Sequence, residues 1–270
     1  MTTPGLSVVM IAKNSEQYLS VVLRSLVEVA DEIVVVDTGS TDSTLDIAQK
    51  HGCRLFEFPW VDNFAMAKNF GIEQARFSWI LNVDTDEVLY DKNARNIIIS
   101  AMQDSAAPAY IIWQDNLHDS GQIESVKVLR LFRNDQRIRF TNPVHESIGE
   151  LLYAHWPRFV PSVLDIHLRH YGHLPRNAHG KHARNIELML KWTVSEPDNI
   201  FANYKLGTTL FEVKRYEESL PYLERTFKLF AESNDRESYP FWGVFIEQYS
   251  QLLSVMGLTD RALDMLKELH

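Results

Sequence analysis

Short apolar runs alternate with amphipathic stretches along the first third of the chain. The apolar runs predict strands at residues 6–12, 32–36, 54–58 and 79–83. Helices are predicted between these strands: one capped by Asn14 or Ser15, one that begins near Ser43 and ends at Gly52, and one from Phe64 to Ala75. Unbroken apolar runs are typical of strands buried on both faces, so we expect a parallel sheet with right-handed crossovers.

The pattern changes after Asp91. A helix is predicted around residues 95–102, followed by strands at 109–114 and 126–132 that are joined through the turn signal Asp119-Ser120-Gly121. This pair would add antiparallel strands to the sheet. Residues 134–180 are rich in Pro, His and Arg and weakly periodic, so we expect loops and short strands that surround a site.

From about Ala183 the periodicity is helical. Small and apolar residues fall where a tetratricopeptide-like helix pair packs: Leu206, Gly207, Leu210, Ser219, Leu223 and Thr226. Residues 241–256 and 259–269 predict a second pair. We therefore predict an α/β domain at 1–178 and a helical tail at 179–270, which packs on the first domain or on a protein partner.

Composition is that of a globular protein, with 45% apolar and 23% charged residues. The formal net charge of −9 argues against a nucleic-acid partner. An acidic protein that handles phosphates needs local positive charge or a divalent cation.

The single cysteine, Cys53, leaves no internal disulfide; a buried strand residue is the expectation and a nucleophile the alternative. Residues 1–6 do not resemble a signal peptide, and no segment is long enough to span a bilayer. We expect a cytoplasmic protein, and peripheral contact with the inner face of the cytoplasmic membrane stays open.

Polar segments follow three of the predicted strands: Ala12-Lys13-Asn14, Asp37-Thr38-Gly39-Ser40 and Asp84-Thr85-Asp86-Glu87. Ligands bind beyond the carboxyl ends of parallel strands, so we expect these segments to converge. Asp84 and Asp86 are candidate ligands of Mg2+ or Mn2+, or alternatively helix caps or solvent-facing residues.

Two roles are possible for Asp37 and two for Lys68. Asp37 is expected to accept hydrogen bonds from a base or ribose, with helix capping as the alternative, and Asp42 is the better capping candidate. Lys68 either contacts a nucleotide or is a solvated surface lysine. Neither a Walker loop nor a Rossmann fingerprint is present in the sequence.

These segments together resemble family 2 glycosyltransferases of the GT-A fold, a mixed α/β sheet flanked by helices that binds nucleotide-diphospho-sugars. The resemblance covers residues 5–175 and rests on residues 7–14, 34–42, 67–71 and 80–87. Arg130-Leu131-Phe132-Arg133, Val144-His145-Glu146 and His170-Tyr171-Gly172 resemble the subgroup of bacterial lipopolysaccharide-core glucosyltransferases and some peptide S-glycosyltransferases.

The resemblance implies an inverting, metal-dependent hexosyltransferase that moves a sugar from a UDP-sugar to a lipopolysaccharide-core or other glycan acceptor. Glucose is the first candidate for the sugar. It implies donor contacts by Ala12, Asn14, Asp37, Lys68, Asp84 and Arg130, and metal contacts by Asp84, Asp86 and His170. Many relatives carry Asp where Thr38 stands and Arg where Lys68 stands, so details of donor binding differ.

An inverting transfer needs a general base. Glu146 is the first candidate and His145 the second, although Glu146 could instead pair with a nearby arginine. The histidines at 167, 170, 173, 179 and 182 are read as polar loop residues, with a zinc site as the alternative. The basic residues Lys127, Arg130, Arg133, Arg137 and Arg139 face either a diphosphate, an anionic acceptor or solvent.

Other functions are consistent with parts of this pattern. They are a peptide or protein glycosyltransferase of the same fold, a nucleotidyltransferase, which would need a basic Gly-rich loop after the first strand, and an inactive binding protein whose tail recruits a partner.

Overall fold

The computed structural model describes residues 3–172, 180–233, 239 and 241–267. The chain divides into two compact units, Met1–His179 and Gly180–His270, which are described separately. That each unit is a domain in its own right stays a prediction. No helix in these ranges is long and apolar enough to cross a membrane.

The first unit contains one eight-stranded sheet. Its strands are β1 (Thr3–Ala12), β2 (Glu32–Asp37), β3 (Arg54–Glu57), β4 (Phe77–Asn82), β5 (Glu87–Leu89), β6 (Ala109–Leu117), β7 (Ile123–Arg133) and β8 (Val163–His170). Its helices are α1 (Glu16–Leu26), α2 (Thr44–Lys50), α3 (Phe64–Gln74), α4 (Ala94–Met102) and α5 (Gly149–His155). The strand order is β3-β2-β1-β4-β7-β6-β8-β5.

Pairing in this sheet is mixed. β1, β2, β3 and β4 pair in parallel, as the alternation of strands and helices predicted. β7 joins β4 and β6 in antiparallel fashion, which confirms the predicted hairpin addition. β8 runs parallel to β6 and antiparallel to β5. The mixed α/β architecture is therefore confirmed.

The apolar strands are buried because helices cover both faces. On β1, Val8 and Met10 belong to the core that includes Leu19 and Leu23 of α1. Val9, between them, belongs to the core on the other face. There α3 packs closely, because Gly71 has no side chain: a Cβ at this position would lie 2.7 Å from Cγ1 of Val9.

The prediction of loops and short strands at 134–180 is wrong in part. The structure contains helix α5 and the eight-residue strand β8 in this stretch. Only Ile166 and Leu168 of β8 are buried, and polar residues alternate with them. Two apolar positions are too few for the periodicity of a half-buried strand to stand out.

The second unit is helical over its described residues. Its helices are α6 (Lys181–Ser195), α7 (Ile200–Glu212), α8 (Tyr216–Glu232), α9 (Trp242–Val255) and α10 (Thr259–Lys267). α7 and α8 meet at Gly207, where a Cβ would lie 2.4 Å from Leu223, and Ser219 Oγ donates to the Gly207 carbonyl over 2.7 Å. The six predicted packing positions are buried, while their likeness to a tetratricopeptide repeat stays a prediction.

Candidate active site

The three polar segments that follow β1, β2 and β4 are bonded to one another. The backbone N–H of Asn14 donates to Ser40 Oγ over 2.9 Å, and Thr41 N–H donates to Asn14 Oδ1 over 2.8 Å. The hydroxyls of Ser15 and Thr85 lie 2.9 Å apart. The predicted convergence of these segments is confirmed.

Ala12 and Thr38 hold the first two segments together at the strand ends. The Ala12 carbonyl accepts from Thr38 N–H over 2.9 Å and from Thr38 Oγ1 over 3.1 Å. Thr38 therefore has a structural role, because it joins the end of β2 to the end of β1. Ala12 is buried, so its donor contact stays a prediction.

One carboxylate oxygen of Asp37 forms hydrogen bonds, and the other has no partner among the described residues. Its Oδ2 accepts from the backbone N–H groups of Gly39 and Ser40, both over 2.9 Å. Its Oδ1 is buried and has no hydrogen-bond partner among the described residues. A carboxyl oxygen buried without a donor is costly, so a ligand that supplied an N–H or O–H here would be favoured.

Helix capping falls to Asp42. Its carboxylate accepts from Thr44 N–H over 3.0 Å and from Glu16 N–H over 3.1 Å, so it serves the starts of both α1 and α2. Ser15 stands directly before α1, but its hydroxyl contacts Thr85 instead. Asp42 thus performs the capping that was predicted for Asn14 or Ser15, and Asp37 is not a helix cap.

Lys68 is the buried centre of an ion-pair network. Its Nζ lies 3.2 Å from Asp84 Oδ1, 2.8 Å from Glu146 Oε1 and 3.2 Å from Asn82 Oδ1. These three acceptors match the three N–H donors of an ammonium group. Lys68 is only 4% exposed, so the alternative of a solvated surface lysine is wrong.

Arg130 reaches the same carboxylate from β7. It donates to Asp84 Oδ2 over 2.9 Å, to Asn82 Oδ1 over 2.8 Å and to Glu87 Oε1 over 2.8 Å. Of the predicted basic run, only Arg130 joins this network. Lys127, Arg133 and Arg137 stack on tryptophans elsewhere, and Arg139 donates to backbone carbonyls.

Two further buried residues complete the network, Asn82 and Glu87. The Glu87 carboxylate accepts from Arg130, from Gln114 Nε2 over 2.5 Å and from the backbone N–H of Asp84 over 2.7 Å. Asn82 was not predicted to be part of the site, and Glu87 was named only as the last residue of the third converging segment. Glu87 follows the Asp84-Thr85-Asp86 segment directly, but its partners come from β6 and β7, whose position beside β4 is not readable from local sequence.

Burial and the charges of this network shift the pKa values of its members in opposite directions. Burial raises the pKa of Asp84, but the nearby charges of Arg130 and Lys68 outweigh it and hold the pKa well below its usual range. Burial lowers the pKa of Lys68, but Asp84 and Glu146 outweigh it and raise the pKa. The site thus keeps two fixed positive charges beside an ionised Asp84.

Asp86 and His170 lie next to this network. His170 Nε2 is 3.6 Å from Asp86 Oδ1, and its Nδ1 is 2.8 Å from Asn116 Oδ1. The pairing of Glu87 with His170 in the β5–β8 ladder brings the histidine to this place. Burial lowers the pKa of His170. The hydrogen bond to Asp86 and the negative charges of Asp86, Glu87 and Asp84 outweigh this effect and raise the pKa.

A divalent cation fits this part of the site only with help from a substrate. No group of three His, Cys, Asp or Glu side chains that could hold a metal occurs in the described ranges. Both oxygens of Asp84 are engaged by Lys68 and Arg130. Asp86 and His170 lie side by side as the other candidate ligands, and a pair of ligands suffices for a cation that also binds diphosphate and water.

The candidate bases Glu146 and His145 lie in the loop after β7. The bridge between Thr141 and Ser147 closes this loop, and His145 has a φ of 55° and an exposed side chain. Glu146 pairs with Lys68, not with an arginine as the alternative reading had it. Their roles stay predictions.

The remaining sequence candidates are dispersed. His167 lies on β8 with His170, and His182 lies on α6 in the other unit; His173 and His179 fall outside the described residues. Cys53 is half-buried just before β3, and burial raises the pKa of its thiol to about 11, which does not suit a nucleophile.

A mixed α/β sheet flanked by helices, with this strand order, has the architecture of GT-A glycosyltransferases. Residues 7–149 match the model of glycosyl transferase family 2, and the chain belongs to that family.

Curated relatives are similar to this chain in sequence. A TPR repeat-containing protein of Synechococcus elongatus is 31% identical over 219 residues, which cover 76% of this chain and 52% of the relative. The glycosyltransferase SunS of Bacillus subtilis is 27% identical over 254 residues, which cover 88% of this chain and 56% of the relative. The chain thus spans about half the length of these curated relatives.

Solved structures show the same fold. S. aureus TarS aligns with a TM-score of 0.53 at 16% identity, covering 91% of this chain and 54% of TarS. Residues 1–349 of TarS, in complex with UDP-GlcNAc, align with a TM-score of 0.51 at 18% identity, covering 97% of this chain and 88% of that one.

Proposed function

We propose that this chain is an inverting, cation-dependent hexosyltransferase that moves a sugar from a UDP-sugar to a glycan acceptor. The observation that carries this proposal is the pair of buried cations, Lys68 and Arg130, that meet at Asp84 beyond the ends of β1 and β4. In a chain of net charge −9 such a pair supplies the local positive charge that a diphosphate needs, and without a donor Asp84, Glu87 and Glu146 balance that charge.

The nucleotide is assigned to the end of β2. The buried, unbonded Oδ1 of Asp37 would accept from the imide N–H of uracil or from a ribose hydroxyl. Asn14, which ties the loop at 38–42 to the end of β1, would support this pocket. TarS, a protein of the same fold, forms a complex with UDP-GlcNAc, which supports uracil as the base. Glucose as the sugar and a lipopolysaccharide-core glycan as the acceptor rest on the resemblance of residues 130–133, 144–146 and 170–172.

The cation is assigned to Asp86 and His170. When bound, a divalent cation would neutralise the negative charge that develops on the departing UDP. Asn116 fixes the orientation of the His170 ring through Nδ1, so that Nε2 faces Asp86. To bind the same phosphates from the side of Asp84, Lys68 and Arg130 would exchange carboxylate partners for phosphate oxygens.

Glu146 is assigned as the base. In the transfer, the acceptor oxygen forms a bond to the anomeric carbon, the bond from that carbon to the diphosphate oxygen breaks, and the hydroxyl proton moves to the carboxylate. The ion pair with Lys68 holds this carboxylate beside the proposed phosphate site.

Thermal unfolding with nucleotides and cations tests the proposal. A ligand at a hundred times its Kd stabilises the folded state by about 2.7 kcal/mol. We expect UDP to raise Tm only with Mn2+ or Mg2+, and we expect Asp86→Ala and Asp37→Asn each to abolish that rise. Asp31→Asn is the matched control: Asp31 accepts from Leu6 N–H and pairs with Arg95 away from these strand ends, so its change should leave the UDP-induced rise intact.

Turnover separates an enzyme from an inactive binding protein. We expect slow hydrolysis of UDP-glucose by the wild type in the presence of the cation and none by Asp86→Ala. Stabilisation by another nucleotide but not by UDP would overturn the donor assignment. Binding of UDP without any hydrolysis or transfer would overturn the assignment as a transferase.

A further inference from the structure

A second polar cluster lies on the opposite face of the strands that carry the candidate site. Gln114 and Asn116 on β6 point to Glu87 and His170 at the site. Successive side chains of a strand point to opposite faces, so Trp113 and Asp115 point away from it. Six residues on that face are called the reverse-face cluster: Tyr90, Trp113, Asp115, Lys127, His167 and Arg169. The exposed Asp165 of β8 lies next to them, 3.4 Å from His167 Nε2.

Three rings of this cluster form a row with a cation at each end. Lys127 Nζ lies 5.4 Å from the centroid of the Trp113 ring, and the Trp113 and His167 rings stack at 6.0 Å with an interplanar angle of 13°. The Tyr90 ring follows at 5.9 Å from His167, and the Arg169 guanidinium lies 4.5 Å from the Tyr90 centroid. Ring faces attract cations, so each end charge is held in place.

Asp115 holds two rings of the row, those of Tyr90 and His167, through hydrogen bonds. It is buried, and its carboxylate accepts from Ser125 Oγ over 2.5 Å, from the Tyr90 hydroxyl and from His167 Nδ1 over 3.0 Å. These bonds orient the tyrosine and histidine rings. The negative charge of Asp115 is directed to these three groups and does not form an ion pair with either end cation.

Both end cations are left without an anion. Neither Arg169 nor Lys127 forms a hydrogen bond or an ion pair within the described parts of the chain, and Nε of Arg169 is buried without a partner. Arg54, Arg130 and Arg137, by contrast, pair with carboxylates. A buried donor without an acceptor is costly to a fold, and an anionic ligand that reached Arg169 Nε would satisfy it; Lys127 is exposed and bears no such cost.

We propose that the reverse-face cluster binds an acidic sugar chain, with Arg169 and Lys127 each holding one anionic group and the ring edges between them contacting the sugars. Two cations at the ends of a row of rings fit charges spaced along a chain better than a single small ion. A planar guanidinium binds carboxylate in bidentate fashion, which suits the Arg169 end. The choice of a sugar chain rests on the proposed function, because the acceptor of that reaction is a glycan.

Calorimetric titration of the full chain with oligogalacturonate, a carboxylate-bearing sugar chain, tests the proposal. We expect Arg169→Gln and Lys127→Gln each to weaken binding about tenfold, the size of one lost charge-assisted contact. Arg24→Gln, which removes an exposed charge on α1, should leave the affinity unchanged. The fully methyl-esterified, neutral chain should bind at least tenfold more weakly than the acidic one.

Three results would overturn the assignment: wild-type affinity in Arg169→Gln and Lys127→Gln, equal binding of the neutral chain, or equal binding of inorganic phosphate at the same residues. The UDP-induced rise in Tm, measured on the same variants, separates this proposal from the previous one. If UDP has no effect on any variant while Arg169→Gln still weakens oligogalacturonate binding, the donor assignment fails and the surface stands. If UDP binds normally and oligogalacturonate does not bind, the surface fails alone.

Discussion

The ammonium of Lys68 lies 2.8 Å from Oε1 of Glu146, and this ion pair joins α3 to the loop that carries both candidate bases. Asn69, the next residue of α3, bonds the same region by accepting from Phe140 N–H and donating to the Phe140 carbonyl, both over 2.9 Å. Phe64 N–H, at the start of the helix, donates to the Pro143 carbonyl over 2.8 Å. α3 thus positions the loop through its backbone and its side chains alike.

Replacing Lys68 by methionine should therefore affect both stability and donor binding. Removal of one partner from a buried ion pair costs about 3–5 kcal/mol, and the partial exposure of Asp84 places Lys68→Met at the lower end of that range. Urea unfolding followed by fluorescence measures the loss. We also expect UDP affinity to fall about tenfold because one phosphate contact is missing.

Lys50→Met and Lys68→Arg are the matched variants for this test. Lys50 is exposed on α2, so its loss should change the free energy of unfolding by less than about 0.5 kcal/mol. Lys68→Arg keeps the charge and should retain part of the UDP affinity. A Lys68→Met protein as stable as Lys50→Met would show that the network does not support the fold.

Local sequence was sufficient to predict most elements of the first half, although not the short strand β5. Regular apolar runs and helical spacing predict β1 to β4 and α1 to α4 to within a few residues. The convergence of Asn14, Ser40 and Thr85 also followed, because parallel strands end at one edge of a sheet. These features depend on neighbours in sequence and on one general rule of topology.

Features that depend on strand order were not predictable in this way. Glu87 pairs with Arg130 and Gln114 because β7 and β6 follow β4 in the sheet, and local periodicity carries no information on that order. The burial of Lys68 has the same origin, since its partners Asp84 and Glu146 are distant in sequence. The chemistry of the site was thus predicted by type and location, but not by its pairings.

Gly71 should be intolerant of even a single methyl group. In Gly71→Ala the new Cβ would lie 2.7 Å from Val9 Cγ1 and 2.9 Å from Val36 Cγ2, and both valines are fully buried. Overpacking of this kind costs about 1–3 kcal/mol, which exceeds the gain of about 0.5–1 kcal/mol from better helix propensity. Thermal and urea unfolding should both report the loss.

Gly243→Ala is the matched control for Gly71→Ala. Gly243 lies in the first turn of α9, and a Cβ there meets no atom within 4 Å among those described. This change should be neutral or should stabilise by up to about 1 kcal/mol. Equal effects of the two substitutions would mean that α3 does not approach β1 and β2 as closely as the structure has it.

Cys53 should react slowly with alkylating reagents. Burial raises the pKa of its thiol to about 11, and only the thiolate is nucleophilic. At pH 8 its reaction with iodoacetamide should be about a hundredfold slower than that of an unperturbed thiol of pKa about 8.5. Mass spectrometry of the folded protein, with the urea-unfolded chain as reference, measures this ratio. Equal rates in the two states would show an accessible thiolate.

Glu32 at the start of β2 should make stability depend on pH. Its carboxylate accepts from Ser7 Oγ, from Arg76 N–H and from Arg54, each over 2.6 Å. Burial raises the pKa of Glu32, but these hydrogen bonds and the charge of Arg54 outweigh it, so the pKa in the folded state lies below its usual value of 4.5. The folded protein therefore binds fewer protons here than the unfolded chain, and stability rises with pH through this range.

Glu32→Gln should remove that dependence because an amide does not titrate. The stabilisation is fully present above the unfolded pKa and is lost as pH falls through the folded pKa. We expect Glu32→Gln to be about 1–3 kcal/mol less stable than the wild type at pH 7, the worth of hydrogen bonds to a charged group, and the gap to narrow as pH falls below about 4.5. Glu57 is the exposed last residue of β3, so the stability gap between Glu57→Gln and the wild type should show no such narrowing. A gap for Glu32→Gln that stays constant from pH 7 to pH 3 would mean that packing, and not the charge of this carboxylate, supports the start of β2.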